Sequence, residues 1–405
     1  MKEYIKRFIY IIGVVIFSIN MIACDTSENE LEDKYIEGQD QQFMFCDNGG
    51  KQKITKSSKG YYFSVGHYLY YIDDKGNEAI VMCNKPNCLH AEETNPYKVP
   101  ECNALFPSPR LITYQGGKLY IVYEKPSKQN YELAEVSLDG TNRKTLYEFD
   151  KRPTGIALHR GKLYYSSSVF NNKGENVYGL EMIDLNTSNL EPKVIYTGEL
   201  QGGDIQHILC YGKHIYFREI SRHTEQMTVR AFRYDMEKDK VQRICTMQDE
   251  ERLGSLGIIG DKLYYRIFSD TIKSSDNKSV FITDLNNSNI EYEIEMPIYT
   301  HQLSDGRNLF AIDNRGESSK RKEDRGISIY SKDGKFIIEY LLNCNEGSYK
   351  VYPGDEKYMF LLYESSEYME WKRVDKVKML RGENSVNTIL KINREQLYPR
   401  TITEN

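Results

Sequence analysis

Short runs of alternating apolar and polar residues, broken by turns rich in Gly, Asp and Asn, recur along most of the chain, which is the pattern of half-buried strands joined by hairpins. One motif repeats at about 45 to 58 residues. It reads as a turn followed by Lys-Leu-Tyr-Tyr or a near copy: Gly117-Lys118-Leu119-Tyr120, Gly161-Lys162-Leu163-Tyr164-Tyr165, Gly212-Lys213-His214-Ile215-Tyr216-Phe217 and Gly260-Asp261-Lys262-Leu263-Tyr264-Tyr265. Weaker copies are Lys59-Gly60-Tyr61-Tyr62-Phe63, Gly306-Arg307-Asn308-Leu309-Phe310 and Lys357-Tyr358-Met359-Phe360. Each is followed by an aliphatic strand, a polar turn such as Asp73-Asp74-Lys75-Gly76, Leu138-Asp139-Gly140-Thr141 or Ser331-Lys332-Asp333-Gly334, and another short strand. Four strands a, b, c and d in a meander form one propeller blade, so the chain is expected to be an all-β propeller of seven four-stranded blades.

Blade two shows the layout, with strands at 111–114, 119–123, 133–138 and 145–147; blade one follows it at 52–55, 61–65, 68–72 and 79–82. Blade seven comes out one strand short, because 364–385 reads as a long polar connection and little beyond 389–392 can pair, with Pro399 interrupting. The unassigned apolar run 42–46 is therefore expected to close blade seven from the N-terminus, removing an exposed edge. The propeller then spans 42–398, with a tail at 399–405.

The start of the chain carries different information. Lys2, Lys6 and Arg7 precede an apolar core that ends at Ala23-Cys24, the layout of an export signal over 1–23. Met21-Ile22-Ala23-Cys24 resembles a bacterial lipobox, which implies lipidation of Cys24 and a cell-membrane location on the extracytoplasmic side. An uncleaved anchor helix is the alternative. Residues 24–41 are polar and acidic, with Glu28, Glu30, Glu32, Asp33, Glu37 and Asp40, and read as a tether. The net charge is −5 and the basic residues are dispersed, so no electrostatic footprint for nucleic acid is visible.

An exported lipoprotein with recurring Gly-x-Lys-Leu-Tyr-Tyr strands resembles the TolB-like and lipoprotein-receptor-like propellers of bacterial surface proteins. The resemblance covers about nine-tenths of the chain and bears on fold more than on function. Six blades are common among TolB-like proteins, so six remains the alternative count.

The short a–b and c–d turns share one end of the propeller, while longer polar b–c connections at 166–176, 269–277, 313–325 and 364–385 gather at the other, together with the d–a insertion 83–110. That decorated end is the expected binding surface. Within the insertion, Cys83, Cys88, His90 and Cys102 offer three thiols and an imidazole, a candidate structural zinc site of Cys₃His type. A disulfide between two of the thiols, or unpaired thiols, are the alternatives in an exported chain. Cys46, Cys210, Cys245 and Cys344 read as small core residues.

Trp371, Tyr363 and Tyr368, on the blade-seven connection, are candidates to stack on a sugar or grip a peptide; packing of Trp371 onto the blade is the competing reading. No His-Glu-x-x-His or Gly-x-Ser-x-Gly motif occurs, and no catalytic residue is assigned. The expected function is a binding or assembly module for a protein, peptide or glycan. The rival is a propeller-type hydrolase or lyase acting on carbohydrate or peptide, which three or more converging carboxylates or histidines at the channel mouth would favour.

Overall fold

In a computed structural model the chain forms seven antiparallel sheets of four strands each, every sheet built from strands consecutive in sequence. The structure describes residues 31–394 apart from 46–51, 89, 91–101, 126–129, 171, 173–175, 222–226, 245–250, 270–277, 287–288, 297–299, 314–324 and 343–346. The signal segment, Cys24, the tail, Cys46, Cys245, Cys344 and most of the connections within 269–277 and 313–325 lie outside the described residues.

The blades span 54–81, 111–149, 156–197, 203–244, 251–296, 300–342 and 348–393. Strand a lies innermost and in most blades is largely buried, as in Leu111–Gln115, while strand d lies outermost and more exposed, as in Arg143–Phe149. The repeated Lys-Leu-Tyr-Tyr copies are the b strands, packed on both faces; in the first blade all of Gly60–Val65 is buried. Sandwiching between neighbouring blades explains why the apolar alternation weakens there into near-continuous apolar runs. The polar turns close on themselves: Asp73, Asp184, Asp235 and Asp284 each accept a backbone N–H two residues on, a local bond that favours the turn.

Blade seven is complete without the N-terminus. Its strands are Ser348–Tyr352, Tyr358–Glu364, Tyr368–Asp375 and Val386–Asn393, followed in order across the sheet. The expected insertion 364–385 is thus mostly strand c and the short helix Lys376–Leu380, which Asp375 caps by accepting the Lys378 N–H. Closure by an N-terminal strand is corrected accordingly.

Side chains make the seam between blades seven and one instead. Trp371 is fully buried there, its ring centroid 4.8 Å from that of Phe63 and 5.0 Å from that of Tyr352. Tyr61 packs 4.9 Å from Phe360 and donates its hydroxyl to Asp355 Oδ2 at 2.6 Å. Arg373 donates to the carbonyls of Asp74 and Gly76, and the Ala79 N–H donates to the Ile389 carbonyl at 2.8 Å. One continuous apolar cluster consequently runs from Met369 and Trp371 through Tyr61 and Phe63 to Ile112 and Leu119.

Candidate metal centre and channel mouths

The end of the segment read as a tether lies against the propeller, mostly exposed over 33–39 and buried at Asp40 and Gln41. Asp40 and Gln41 are each 3% exposed, and residues 33–45 form a strap across the a–b end of the channel. The strap bonds to four different blades. Gln42 receives N–H and hydroxyl bonds from Lys56 and Thr55 of blade one, and Gln115 of blade two donates to the Gln39 carbonyl. Arg160 of blade three holds Asp40 at 2.7 Å and the Lys34 carbonyl at 2.8 Å. Gln41 donates to the Ile208 carbonyl and accepts the Cys210 N–H in blade four, while Phe43 and Phe45 pack into the apolar cluster of blades four and five. Two turn glycines make room for it. A Cβ on Gly212, whose φ is +55°, would lie 2.9 Å from the Asp33 backbone, and one on Gly306, at φ +83°, would lie 2.9 Å from the Phe43 ring.

His159 lies beneath the strap, fully buried. Its Nδ1 accepts the Gln41 N–H at 3.2 Å and its Nε2 lies 2.7 Å from the Gly212 carbonyl, so the neutral ring with the proton on Nε2 satisfies both. Burial drives its pKa down to about 4, against the opposing pull of Asp40.

Between the strap and blades five, six, seven and one opens a cavity of about 780 Å³. Glu37, Asp74, Asp261, Asp305, Asp355 and Glu356 line it, so carboxylates do converge at this mouth. Four of them are already engaged. Asp305 holds the buried Lys376 at 2.5 Å, Asp355 and Glu356 each hold Lys56 at 2.9 Å, and Asp74 holds Lys357 at 2.6 Å. Burial raises the Asp355 pKa, but the Tyr61 hydroxyl, the Tyr358 N–H and Lys56 outweigh it and hold the carboxyl below the usual range.

The insertion after blade one lies at the b–c end, fastened by the Phe106 N–H to the His67 carbonyl and by the Leu69 N–H to the Ala104 carbonyl. It brings together the four donors picked out from sequence. The ligand atoms of Cys83, Cys88, His90 and Cys102 all lie within 4.8 Å of one another. Donors around a tetrahedral zinc with bonds of about 2.0–2.3 Å sit roughly 3.3–3.8 Å apart, so the cluster has the size of such a site. The thiols are free, with no disulfide among Cys83, Cys88 and Cys102. His90 Nδ1 is buried with no hydrogen-bond partner in the described residues. Burial would raise the Cys83 pKa, but the N–H groups of Lys85 and Asn103 and the neighbouring thiols lower it, whereas Cys102, buried beside two sulfurs, is pushed up to about 12. Asn87, at φ +61°, turns the chain between the first two thiols.

The aromatic candidates fall elsewhere. Trp371 is inside the blade seven–one seam, with no surface to offer a ligand. Tyr363 is buried between Tyr349 and Tyr368, at 4.9 and 5.7 Å, and the half-buried Tyr368 ring is covered by Lys391 at 3.7 Å. The strap, and the charged groups that fix it, were missed in the sequence reading; its only sequence signal is the aromatic spacing Tyr35, Phe43, Phe45 within an acidic stretch.

Fold and sites together define a seven-bladed β-propeller with an axial strap and a thiol-rich insertion. No protein family and no curated protein matches the chain by sequence. Among solved structures it is similar to oligopeptidase B from Leishmania major, with a TM-score of 0.51 and 11% identity over 88% of this chain and 49% of that one. It is also similar to oligogalacturonate lyase from Vibrio parahaemolyticus (TM-score 0.49, 11% identity, 83% of this chain and 91% of that one) and to the β-propeller domain of the trilobed protease from Pyrococcus furiosus (0.48, 14%, 71% and 84%). At these identities the likeness extends to the fold alone.

Proposed function

We propose that the chain is a lipid-anchored extracytoplasmic binding module that presents the b–c end of its propeller to a protein, peptide or glycan. The strap carries this reading. Its bonds fix Asp33 at the a–b end, and the stretch back to Cys24 reaches at most about 32 Å fully extended. A lipid on Cys24 therefore turns the a–b mouth toward the bilayer and leaves the b–c end outward. The test is an array of peptides and glycans probed with chain bearing charge reversals at one end or the other. Ligand lost on changing the b–c end and kept on changing Arg307 or Lys357 supports the reading; the reverse pattern overturns it.

Replacing Cys24 with Ser is expected to move the protein from the membrane to the soluble fraction, since each buried lipid CH₂ contributes about 0.8 kcal/mol. Retention of the variant on membranes would remove the anchor from the proposal. The hydrolase or lyase reading rests on the acidic a–b mouth. Two-carboxylate glycoside hydrolysis needs one carboxyl with a raised pKa, and Asp355 and Glu356 are held low instead.

The Cys₃His cluster is proposed as a structural zinc site that stiffens the insertion. Protein purified without chelator is expected to carry about one zinc per chain, lost in Cys83→Ser together with part of the thermal stability. Metal-free protein with two thiols consumed would make the loop a disulfide staple, and metal-free protein with all three thiols reactive would refute both.

A further inference from the structure

The b–c end holds a second cavity, of about 380 Å³, between blades seven, one and two. Its lining inverts the sign of the molecule. The chain carries a net charge of −5, yet Lys53, Arg110, Arg152, Lys350 and Arg394 face this cavity against two carboxylates, Glu124 and Glu364. Most of the cations lie at or near the start of an innermost strand. Lys53 and Arg110 immediately precede the innermost strands Ile54–Lys56 and Leu111–Gln115, Lys350 lies within Ser348–Tyr352, and Arg152 lies just ahead of Ile156–His159. Four successive blades thus bring five cations to the same rim, two of them, Lys350 and Arg394, from blade seven.

Some of this charge is balanced within the chain: Lys350 holds Glu364 at 2.6 Å, and Arg394 donates to the Ser365 carbonyl at 2.7 Å. Arg110 is different. It is 7% exposed, its Nη2 reaches only the carbonyls of Pro153 and Thr154 at 3.4 and 3.3 Å, and its Nε is buried with no hydrogen-bond partner among the described residues. No described carboxylate forms an ion pair with it; burial and then Arg152 disfavour its charge, against a weaker favourable pull from Tyr131 and Asp204. A buried guanidinium with no ion-pair partner among the described residues is costly, and Arg110 stands at the wall of an open cavity.

We propose that this cavity binds a multivalent oxyanion, a ligand presenting two or more carboxylate or phosphate groups, one of which Arg110 and Arg152 take between them. Planar guanidinium groups suit either kind of oxyanion through paired N–H bonds. The inference rests on the outward-facing b–c end and names the chemistry of what binds there.

The test titrates the full chain in detergent, at low salt, with citrate, with inorganic pyrophosphate and with uncharged sucrose. Saturable binding of citrate assigns the site to carboxylates and of pyrophosphate to phosphates; either supports the proposal, with sucrose inert and added salt weakening the affinity. Arg152 is exposed, so Arg152→Glu is expected to fold and to weaken binding by about ten-fold or more. Lys193→Glu, on the outer strand of blade three, is expected to leave it unchanged. No binding of either anion up to about 10 mM, or equal binding by Arg152→Glu, overturns the proposal. An array ligand retained by Arg152→Glu sinks the anion site while leaving the binding module standing. Anion binding with an array that responds only to changes at the a–b end does the opposite.

Discussion

Trp371→Ala is expected to lower the stability of the propeller by about 3–5 kcal/mol, read as a fall in the urea midpoint with an unchanged slope. Among the described residues the last and first blades share no strand, so the seam is held chiefly by side chains, with one backbone bond from Ala79 to Ile389. Trp371 fills the centre of that seam, between Phe63 of blade one and Tyr352 of its own blade. Truncation removes a large apolar surface and leaves a cavity that strands on both sides are too constrained to fill. Trp371→Phe is expected to be much milder, because the indole Nε1 is buried without a hydrogen-bond partner among the described residues, so no such bond is lost with it. A loss below about 1 kcal/mol for the alanine variant would mean that the polar contacts of Arg373 and Tyr61 alone close the ring.

Acidification is the second large effect. Folding holds His159 at a pKa of about 4 against its ordinary 6.5, so between those values the unfolded chain binds a proton that the folded chain does not. Stability is fully present above pH 6.5 and falls as the pH falls toward 4, by roughly 3 kcal/mol from this ring. The structural reason is specific: protonated Nδ1 loses its capacity to accept the Gln41 N–H. His67, His207 and His214 are also held low by burial, so the His159 share is the difference between wild type and His159→Gln. Urea midpoints measured across this range are expected to show a shallower acid slope in the variant. Parallel curves would place the acid sensitivity in the other rings.

The blades were legible because hairpin grammar is local. A turn residue, an alternation and a repeat length need no knowledge of distant contacts, and Gly161-Lys162-Leu163-Tyr164-Tyr165 announces its strand unaided. Strand Tyr368–Asp375 escaped because Glu370, Lys372 and Arg373 make it look solvated, although Met369, Trp371 and Arg373 alternate inward. The strap escaped for a related reason. Asp40 reads as linker until Arg160, far along the chain, stands beside it at 2.7 Å. The thiol cluster lay within one insertion and could be read from spacing, whereas the basic rim is spread over four blades and emerges only when the blades are set side by side.

The strap also decides how the ring bears load. Had residues 42–46 supplied the last strand of blade seven, tension on the N-terminus would peel that strand away one hydrogen bond at a time and open the ring at its seam. Instead a pull arriving at Asp33 meets bonds to Arg160, Gln115, Thr55 and Cys210, which spread the load over four blades and away from the seam. The seam at Trp371 lies outside that path, and the propeller is gripped like a wheel by its hub rather than by its rim.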